Sequence, residues 1–204
     1  MALRNVVTEE DPILRKRSRE VAEVTPRIRE LVEDLWETMY EKDGVGLAAP
    51  QVGVLRRVVV IDATPREEDA EDGDSGGVVS DGLSSTQDRR GGFQPPAEEE
   101  PPAEPQKYAL INPEIVWRSE ETACEQEGCL SVPGYAGKVT RPLKVRVKAL
   151  DADGRAIEVE GEGLLARALC HEIDHLEGVL YTDIAEEVKP VGQAAEEEGE
   201  EAEA

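Results

Sequence analysis

The chain of 204 residues is long enough for one domain with its own hydrophobic core, and since only 3% of its residues are aromatic, that core must be largely aliphatic. The formal net charge is −23, and most of it lies in two segments: residues 63 to 106 hold 12 acidic and 3 basic side chains, and residues 185 to 204 hold 8 and 1. A negative surface repels nucleic-acid phosphates, which excludes the class of basic nucleic-acid binders.

The compartment follows from what the sequence lacks. The N-terminal stretch MALRNVVTEEDP contains no apolar run typical of a signal peptide, and no segment is long and apolar enough for a membrane span. The three cysteines, Cys124, Cys129 and Cys170, have no spacing typical of a disulfide framework. We therefore predict a cytoplasmic protein whose thiols are free to act as ligands or nucleophiles.

The segment from Thr25 to Gly44 predicts the first helix. Thr25 is a suitable N-cap, Pro26 suits the first helical position, and Gly44 lies just beyond the expected end. Apolar residues recur at i, i+3 and i+4, namely Ile28, Leu31, Val32, Leu35, Trp36 and Met39. One face of this helix should pack on the core, and we interpret the helix as structural.

Strand patterns follow in residues 56–62, 107–113, 143–150 and 155–161. The last two flank the turn DADG and predict a hairpin with one face in solvent. Residues 63–106 are too acidic and too poor in apolar side chains to offset the entropy of ordering, so we predict a disordered insertion within the domain. We also predict that residues 185–204 form a disordered acidic tail.

The stretch GLLARALCHEIDHLEG, residues 163–178, predicts a second helix that stops at Gly178. His171 and His175 are four residues apart and project to one side, which is the spacing that a single metal ion requires. Glu172 is rotated by roughly 100° from His171, so it can stand beside an ion and transfer protons. A solvated helix face could show the same pattern.

Two further motifs contain candidates for the rest of such a site. A catalytic ion usually takes three protein ligands, but only 29 residues, mostly low-complexity glutamate, follow His175. Upstream, Cys129 in EQEGCLSVPG is the better candidate, although a lone cysteine can also be a small buried apolar residue. In GVGLAAPQ, residues 44–51, the glycines allow close backbone approach and Gln51 offers an amide donor, although a helix stop and a small-residue turn would look similar.

In this order, GVGLAAPQ, EGCLS and HEIDH resemble the three motifs of the peptide deformylase family. The resemblance extends to DPILR at 11–15, INPEI at 111–115 and VLYTDI at 179–184. It covers nearly all of residues 1–184 outside the insertion. It implies a single catalytic domain with an α+β fold, in which antiparallel β-sheets pack around a central metal-binding helix and an N-terminal helix is added.

The resemblance implies a divalent metal ion bound by Cys129, His171 and His175, with a water as fourth ligand. The ion of the family is usually Fe(II), although Zn(II), Ni(II) or Co(II) can take its place, and this ligand set suits all four. Glu172 would act as general base when the metal-activated water attacks the formyl carbon of an N-formylmethionyl peptide, and formate would be released. The Gln51 side chain and the Leu130 N–H would stabilise the oxyanion.

For substrate binding, the resemblance implies the Gly46 main chain and a methionine pocket bordered by Val45, Glu127, Leu164 and Ala168. Arg167 stands at its rim, where some relatives have an aliphatic residue. The implied partners are newly made N-formylmethionyl polypeptides. The chain should be a monomer with no membrane or direct nucleic-acid binding. Some relatives dock on the ribosome with a basic C-terminal helix; the glutamates here argue against that route and leave only a transient association.

Two neighbours of the histidines also lead to predictions. Cys170 stands where the family usually has glutamine, and its sequence position beside a ligand predicts a site prone to oxidation. For Asp174 we hypothesise a buried ion pair with Arg141 that orients the ligands, the alternative being an ordinary surface aspartate.

Two other functions are compatible with parts of the sequence. A metallopeptidase would use the same helix but would leave GVGLAAPQ and Cys129 unexplained. A non-catalytic metal-binding or interaction protein would have no need of Glu172 as a base.

Overall fold

Two antiparallel β-sheets and two α-helices make up the fold of residues 2–65 and 106–191, which are the residues described by this computed structural model. The helices are α1, Pro26–Glu41, and α2, Leu164–Glu177. The strands are β1 Gly46–Ala48, β2 Val58–Asp62, β3 Lys107–Arg118, β4 Thr122–Cys129, β5 Val132–Pro142, β6 Lys144–Leu150, β7 Ala156–Glu162 and β8 Glu187–Pro190. The predicted α+β fold, with antiparallel sheets around the histidine-bearing helix, is confirmed.

The larger sheet has the strand order β1-β2-β3-β6-β7 and lies between the two helices. Four successive residues of β2, from Val58 to Ile61, are fully buried. Because side chains alternate along a strand, Val59 and Ile61 pack with α2, and Val58 and Val60 pack with α1. The run VVVI is therefore apolar throughout because both faces of this strand are covered.

Helix α1 forms where the sequence predicts it. Pro26 occupies the first turn, and the N-cap residue Thr25 makes no side-chain capping hydrogen bond. Leu31, Leu35 and Met39 are buried against the sheet and form part of a core cluster with Leu47 and Ile111. The i, i+4 spacing of these residues is what places them on one face.

The predicted hairpin is present as β6 and β7, paired from Lys144 with Glu162 to Leu150 with Ala156. Its turn is fixed locally, since the Asp151 carboxylate accepts hydrogen bonds from the backbone N–H groups of Asp153 and Arg155, both at 2.9 Å. Gly154 adopts φ 83°, which glycine tolerates best. Local chemistry thus accounts for the register.

The second sheet, of order β4-β5-β8, was not foreseen as a unit. Strands β4 and β5 form a hairpin, and β8 pairs with β5 through Tyr135 with Pro190 to Lys138 with Glu187. Strand β8 lies within residues 185–204, which the sequence predicts as a disordered tail, so the paired chain extends further than expected. Residues 192–204 of that tail lie outside the described residues.

The insertion joins neighbouring strands. Asp62 at the end of β2 pairs with Lys107 at the start of β3, and the Ala63 N–H donates to the Gln106 carbonyl at 3.0 Å. Residues 66–105, most of the predicted insertion, lie outside the described residues. Of the helices within the described ranges, none is long and apolar enough to cross a membrane.

Candidate metal centre and active site

The three predicted metal ligands meet between α2 and the β4–β5 hairpin. His171 and His175 lie on α2, Cys129 is the last residue of β4, and their donor atoms all lie within 4.8 Å of one another. Sγ of Cys129 is 3.3 Å from Nε2 of His175. One thiolate and two imidazoles at this spacing are a donor set that fits a divalent transition-metal ion.

The hairpin turn at Leu130 and Ser131 holds Cys129 at the site. Ser131 directs its backbone N–H to Sγ of Cys129 at 3.4 Å, and Gln51 directs its Nε2 to the same sulfur at 3.5 Å. Gln51 is buried and itself held, since its Oε1 accepts the Ala48 N–H at 2.8 Å. The amide that the sequence predicts as an oxyanion donor therefore faces the metal ligands.

Glu172 is the most unusual polar group of the site. It is only 4% exposed, and its Oε2 has no hydrogen-bond partner among the described residues. Burial raises its pKa to about 7, against the opposing effect of His171. A cation at the three ligands would oppose this rise, because positive charge stabilises a carboxylate.

Gly46 of β1 makes room for this carboxylate. A methyl group built on its Cα would lie 2.8 Å from Cγ and Cδ of Glu172. Any larger residue at position 46 would therefore displace Glu172 or the strand. The need for glycine in GVGLAAPQ follows from this packing, and the main chain passes beside the candidate base.

Glu127 does more than border the pocket. Its side chain is almost completely buried, and its Oε2 lies 3.0 Å from Nδ1 of His171. Burial would raise its pKa, but hydrogen bonds from His171 and Arg141 and the charge of Arg141 lower it to about 2. An ionised Glu127 accepts the Nδ1–H of His171 and makes Nε2 the nitrogen that a cation would bind, a role that the sequence did not reveal.

The two histidines differ in their surroundings. Burial alone would lower the pKa of His171, but contacts with Cys129 and Glu127 raise it to about 10. Burial and the neighbouring His171 lower the pKa of His175 well below its usual value. A cation at this site would meet a neutral imidazole at His175, whereas at His171 it would compete with a proton.

A cavity of about 990 Å³ opens in front of these groups. Its wall contains the residues predicted to bind substrate, namely Val45, Gly46, Glu127, Leu164 and Ala168. The candidate catalytic residues Gln51, Leu130 and Glu172 line it as well. The structure therefore brings the candidates from all three motifs to one place, although both carboxylate oxygens of Glu127 are already engaged.

The hypothesised pair of Arg141 and Asp174 exists, with Nη1 and Oδ2 at 2.5 Å. It differs from the prediction in that the Asp174 side chain is 29% exposed, and the buried partner of Arg141 is Glu127. Cys170 points into the core beneath α2, and burial raises its pKa to about 11. A buried neutral thiol is a poor nucleophile, so we expect less oxidation than its sequence position indicates.

Metal-dependent hydrolases combine such a ligand set with a proton-accepting carboxylate and an adjoining cavity, and this chain is one of them. Comparison with known proteins narrows the class, because the family model for polypeptide deformylase matches residues 3–191. The peptide deformylase of Lachnoclostridium phytofermentans is 45% identical over 201 residues, which are 98% of this chain and 100% of that protein. The peptide deformylase of Alkaliphilus metalliredigens is 44% identical over 183 residues, 90% of this chain and 97% of that one.

A solved structure of the same family is also similar to this chain. The Met-Ala-Ser-bound class I type b peptide deformylase of Acinetobacter baumannii is 28% identical, with a TM-score of 0.70 over 90% of this chain and 98% of that chain. The chain belongs to the polypeptide deformylase family.

Proposed function

We propose that the chain removes the formyl group from the N-terminal formylmethionine of newly made polypeptides and releases formate. The observation that carries the proposal is Glu172, a buried carboxylate with an unpartnered oxygen beside the clustered donors of Cys129, His171 and His175. Membership of the family supports the reaction. The tripeptide bound to the Acinetobacter baumannii relative begins with methionine, which supports the substrate class.

Fe(II) is the ion that we propose first, with Zn(II), Ni(II) or Co(II) as substitutes that the same donors accept. Cys129, His171 and His175 would hold it. When bound, it supplies a Lewis acid that lowers the pKa of a water molecule toward neutrality.

Glu172 is the proposed general base and acid. A carboxylate without hydrogen bonds to protein is a better proton acceptor than one that is already satisfied, which suits the removal of a proton from water during attack on the formyl carbon. The same oxygen can then give this proton to the departing methionine amine. Gly46 leaves the space that the Glu172 side chain occupies.

We assign oxyanion stabilisation to the Gln51 side-chain amide and the Leu130 backbone N–H. Gln51 is held by Ala48, and its Nε2 also lies 3.3 Å from Oγ of Ser131. Both N–H groups of this amide make long contacts, to Sγ of Cys129 and Oγ of Ser131, so donation to the formyl oxygen would replace one of them while the amide plane stays fixed by Ala48. Leu130 sits in the two-residue turn that follows Cys129, so its main chain lies beside the metal ligands.

We propose that Val45, Leu164 and Ala168 border the methionine side chain and that the Gly46 main chain binds the substrate backbone. All four line the cavity. We modify the proposal for Glu127, which acts on the substrate only through His171 because its oxygens are occupied.

The compartment, the oligomeric state, the extent of the domain and the contact with ribosomes are also proposals. We propose that the chain works as a cytoplasmic monomer on nascent polypeptides, as one catalytic domain that contains the insertion and extends past residue 184 to include β8. It would contact ribosomes transiently and without a basic C-terminal helix.

Formate release from a formyl-Met tripeptide by anaerobically prepared, metal-loaded protein tests the function. We expect formate and a peptide with a free methionine amine, and we expect Cys129→Ala to lose both the metal and the activity. The matched control is Cys124→Ala, which alters an exposed thiol outside the site and should leave the rate unchanged. Wild-type protein that binds metal but releases no formate would refute the proposal.

A metallopeptidase is the alternative that the same experiment distinguishes. It would cleave unformylated peptides and release new amines without formate. The cysteine ligand and the Gln51 amide beside it favour deformylation within this family, since both belong to the motifs that carry the resemblance.

A further inference from the structure

Arg167 lies one helical turn before His171 on α2 and has no part in the proposed chemistry. Its guanidinium is buried. An arginine remains charged at any working pH, so burying it costs several kcal/mol unless hydrogen bonds and opposite charges compensate. The contacts of Arg167 show how that cost is offset.

All of these contacts go to the β4–β5 hairpin. Nε binds Oε2 of Glu125 at 3.0 Å, and Nη1 binds Oε1 of Glu127 at 2.8 Å. The guanidinium also donates to the carbonyls of Ala123, at 3.1 Å, and Val139, at 2.9 Å. Residues 123, 125 and 127 are spaced two apart along β4 and therefore lie on the same face of the strand. Arg167 thus ties the helix that carries the histidines to the hairpin that carries Cys129.

Glu127 is the point where this tie meets the metal ligands. Its Oε1 accepts from Arg167 and from Nε of Arg141 at 2.9 Å. Its Oε2 accepts from Nη2 of Arg141 at 3.1 Å and lies 3.0 Å from Nδ1 of His171. An ionised carboxylate has about four acceptor positions, so those of Glu127 are filled. Without Arg167, Oε1 would keep one donor, and Arg141 alone would hold the carboxylate against His171.

We propose that Arg167 is a positioning residue that orients His171 for metal binding through Glu127 and holds Cys129 at the right distance from α2. The inference rests on the metal ligands of the proposed function. Loss of a group that hydrogen-bonds a ligand directly, as Glu127 does, typically costs about 10- to 100-fold in metal affinity. Arg167 acts one step further out, so its loss should cost about 10-fold, the lower end of that range. A residue that served only the rim of the peptide pocket would change KM and leave metal affinity intact.

The test is the equilibrium affinity for Zn(II), measured without substrate by competition with a chromophoric chelator. We expect Arg167→Leu to bind Zn(II) about 10-fold more weakly than wild type. Arg167→Lys should be intermediate, because an ammonium can reach Glu127 but cannot span four acceptors. Glu125→Gln is the matched control: its side chain is 57% exposed, so its loss should change the affinity less than about fivefold.

Stability is controlled separately. Val32→Ala removes packing in the cluster beneath α1 and should lower the free energy of unfolding without weakening Zn(II) binding. Folded Arg167→Leu that binds Zn(II) like wild type would overturn the inference, as would a Val32→Ala protein with an equal loss of affinity. Should Arg167→Leu fail to fold, wild-type affinity in Arg167→Lys overturns it instead.

The two proposals fail in different ways. Tight Zn(II) binding by wild type without formate release would refute deformylation and leave the role of Arg167 standing. Equal Zn(II) affinities of wild type and Arg167→Leu, together with normal formate release, would refute the positioning role alone.

Discussion

Asp34 on α1 and Glu172 on α2 are both carboxylates buried on helices that pack against the same sheet, yet they are surrounded differently. Asp34 is 3% exposed and Glu172 is 4% exposed. Asp34 accepts the Ala2 N–H at 2.7 Å and Nε of Arg4 at 3.0 Å. Glu172 has an oxygen with no partner among the residues that the structure describes.

Their pKa values move in opposite directions, because the partners differ and because Glu172 lies deeper in the protein. Burial would raise the pKa of Asp34, but the Ala2 N–H and Arg4 lower it below its usual value. Burial raises the pKa of Glu172 to about 7. The hydrogen-bonded Asp34 fastens the N-terminal segment to α1, whereas the carboxyl of Glu172, beside the candidate metal ligands, binds a proton more tightly than usual. Two carboxylates of similarly low exposure thus have different surroundings, and Glu172 also lies deeper in the protein, where desolvation is stronger.

The largest expected effect is on the rate. Glu172→Gln keeps the shape of the side chain but removes the proton acceptor, so kcat should fall by about 10²- to 10⁴-fold. Its free energy of unfolding at pH 7 should equal or exceed that of wild type, because an unpartnered buried carboxylate is lost. Formate assays and urea unfolding measure the two quantities. A wild-type kcat in Glu172→Gln would show that Glu172 is not the general base and that its carboxylate has no role in the reaction that Asp34 lacks.

The next effect is a pH dependence of stability in protein freed of metal by a chelator. Glu172 has a folded pKa of about 7 against 4.5 unfolded, so the folded state holds its proton more tightly. The contribution is present below pH 4.5 and is lost as pH rises to 7, by on the order of 3 kcal/mol. The free energy of unfolding of wild type relative to Glu172→Gln should fall over that range in urea titrations. A flat difference would show that Glu172 is not buried as described.

The smallest effect belongs to Asp34. Asp34→Asn should cost about 1 to 3 kcal/mol at pH 7, because Arg4 loses a charged partner. As the folded pKa of Asp34 is lowered, this difference should shrink as pH falls through it, opposite in sign to the Glu172 effect. The kcat per folded molecule should stay at the wild-type value. A loss of rate without a loss of stability would place Asp34 with the functional carboxylates.

Local patterns predicted the elements that local physics specifies. The i, i+4 spacing of Leu31 and Leu35 predicted α1, and the turn DADG predicted the β6–β7 hairpin. Strand β4 was not predicted, because its side chains are mostly polar and exposed and do not alternate between apolar and polar. Strand β8 was not predicted either, because it lies in an acidic segment and pairs with the distant strand β5. Such strands exist through long-range hydrogen bonds rather than through their own propensity.

The candidate site shows the same division. The spacing of His171 and His175 predicted a metal-binding helix, and the family motifs predicted Cys129 as a ligand and Gln51 as an oxyanion donor. Nothing in the local sequence indicated that Glu127 would reach His171 across 44 positions of the chain. Arg167 was predicted at a pocket rim, but its polar atoms are engaged with the hairpin.

The sequence by itself determined the two helices, the hairpin turn, the aliphatic core and the residue types that could bind a metal, because each depends on neighbours within a few positions. Only the tertiary structure decided which carboxylates are satisfied. Asp34 meets Arg4, Glu127 meets two arginines, and Glu172 meets no partner for Oε2 within the described chain. Burial and pairing are set by chain segments far apart in sequence, and they determine whether a carboxylate holds the fold together or holds a proton.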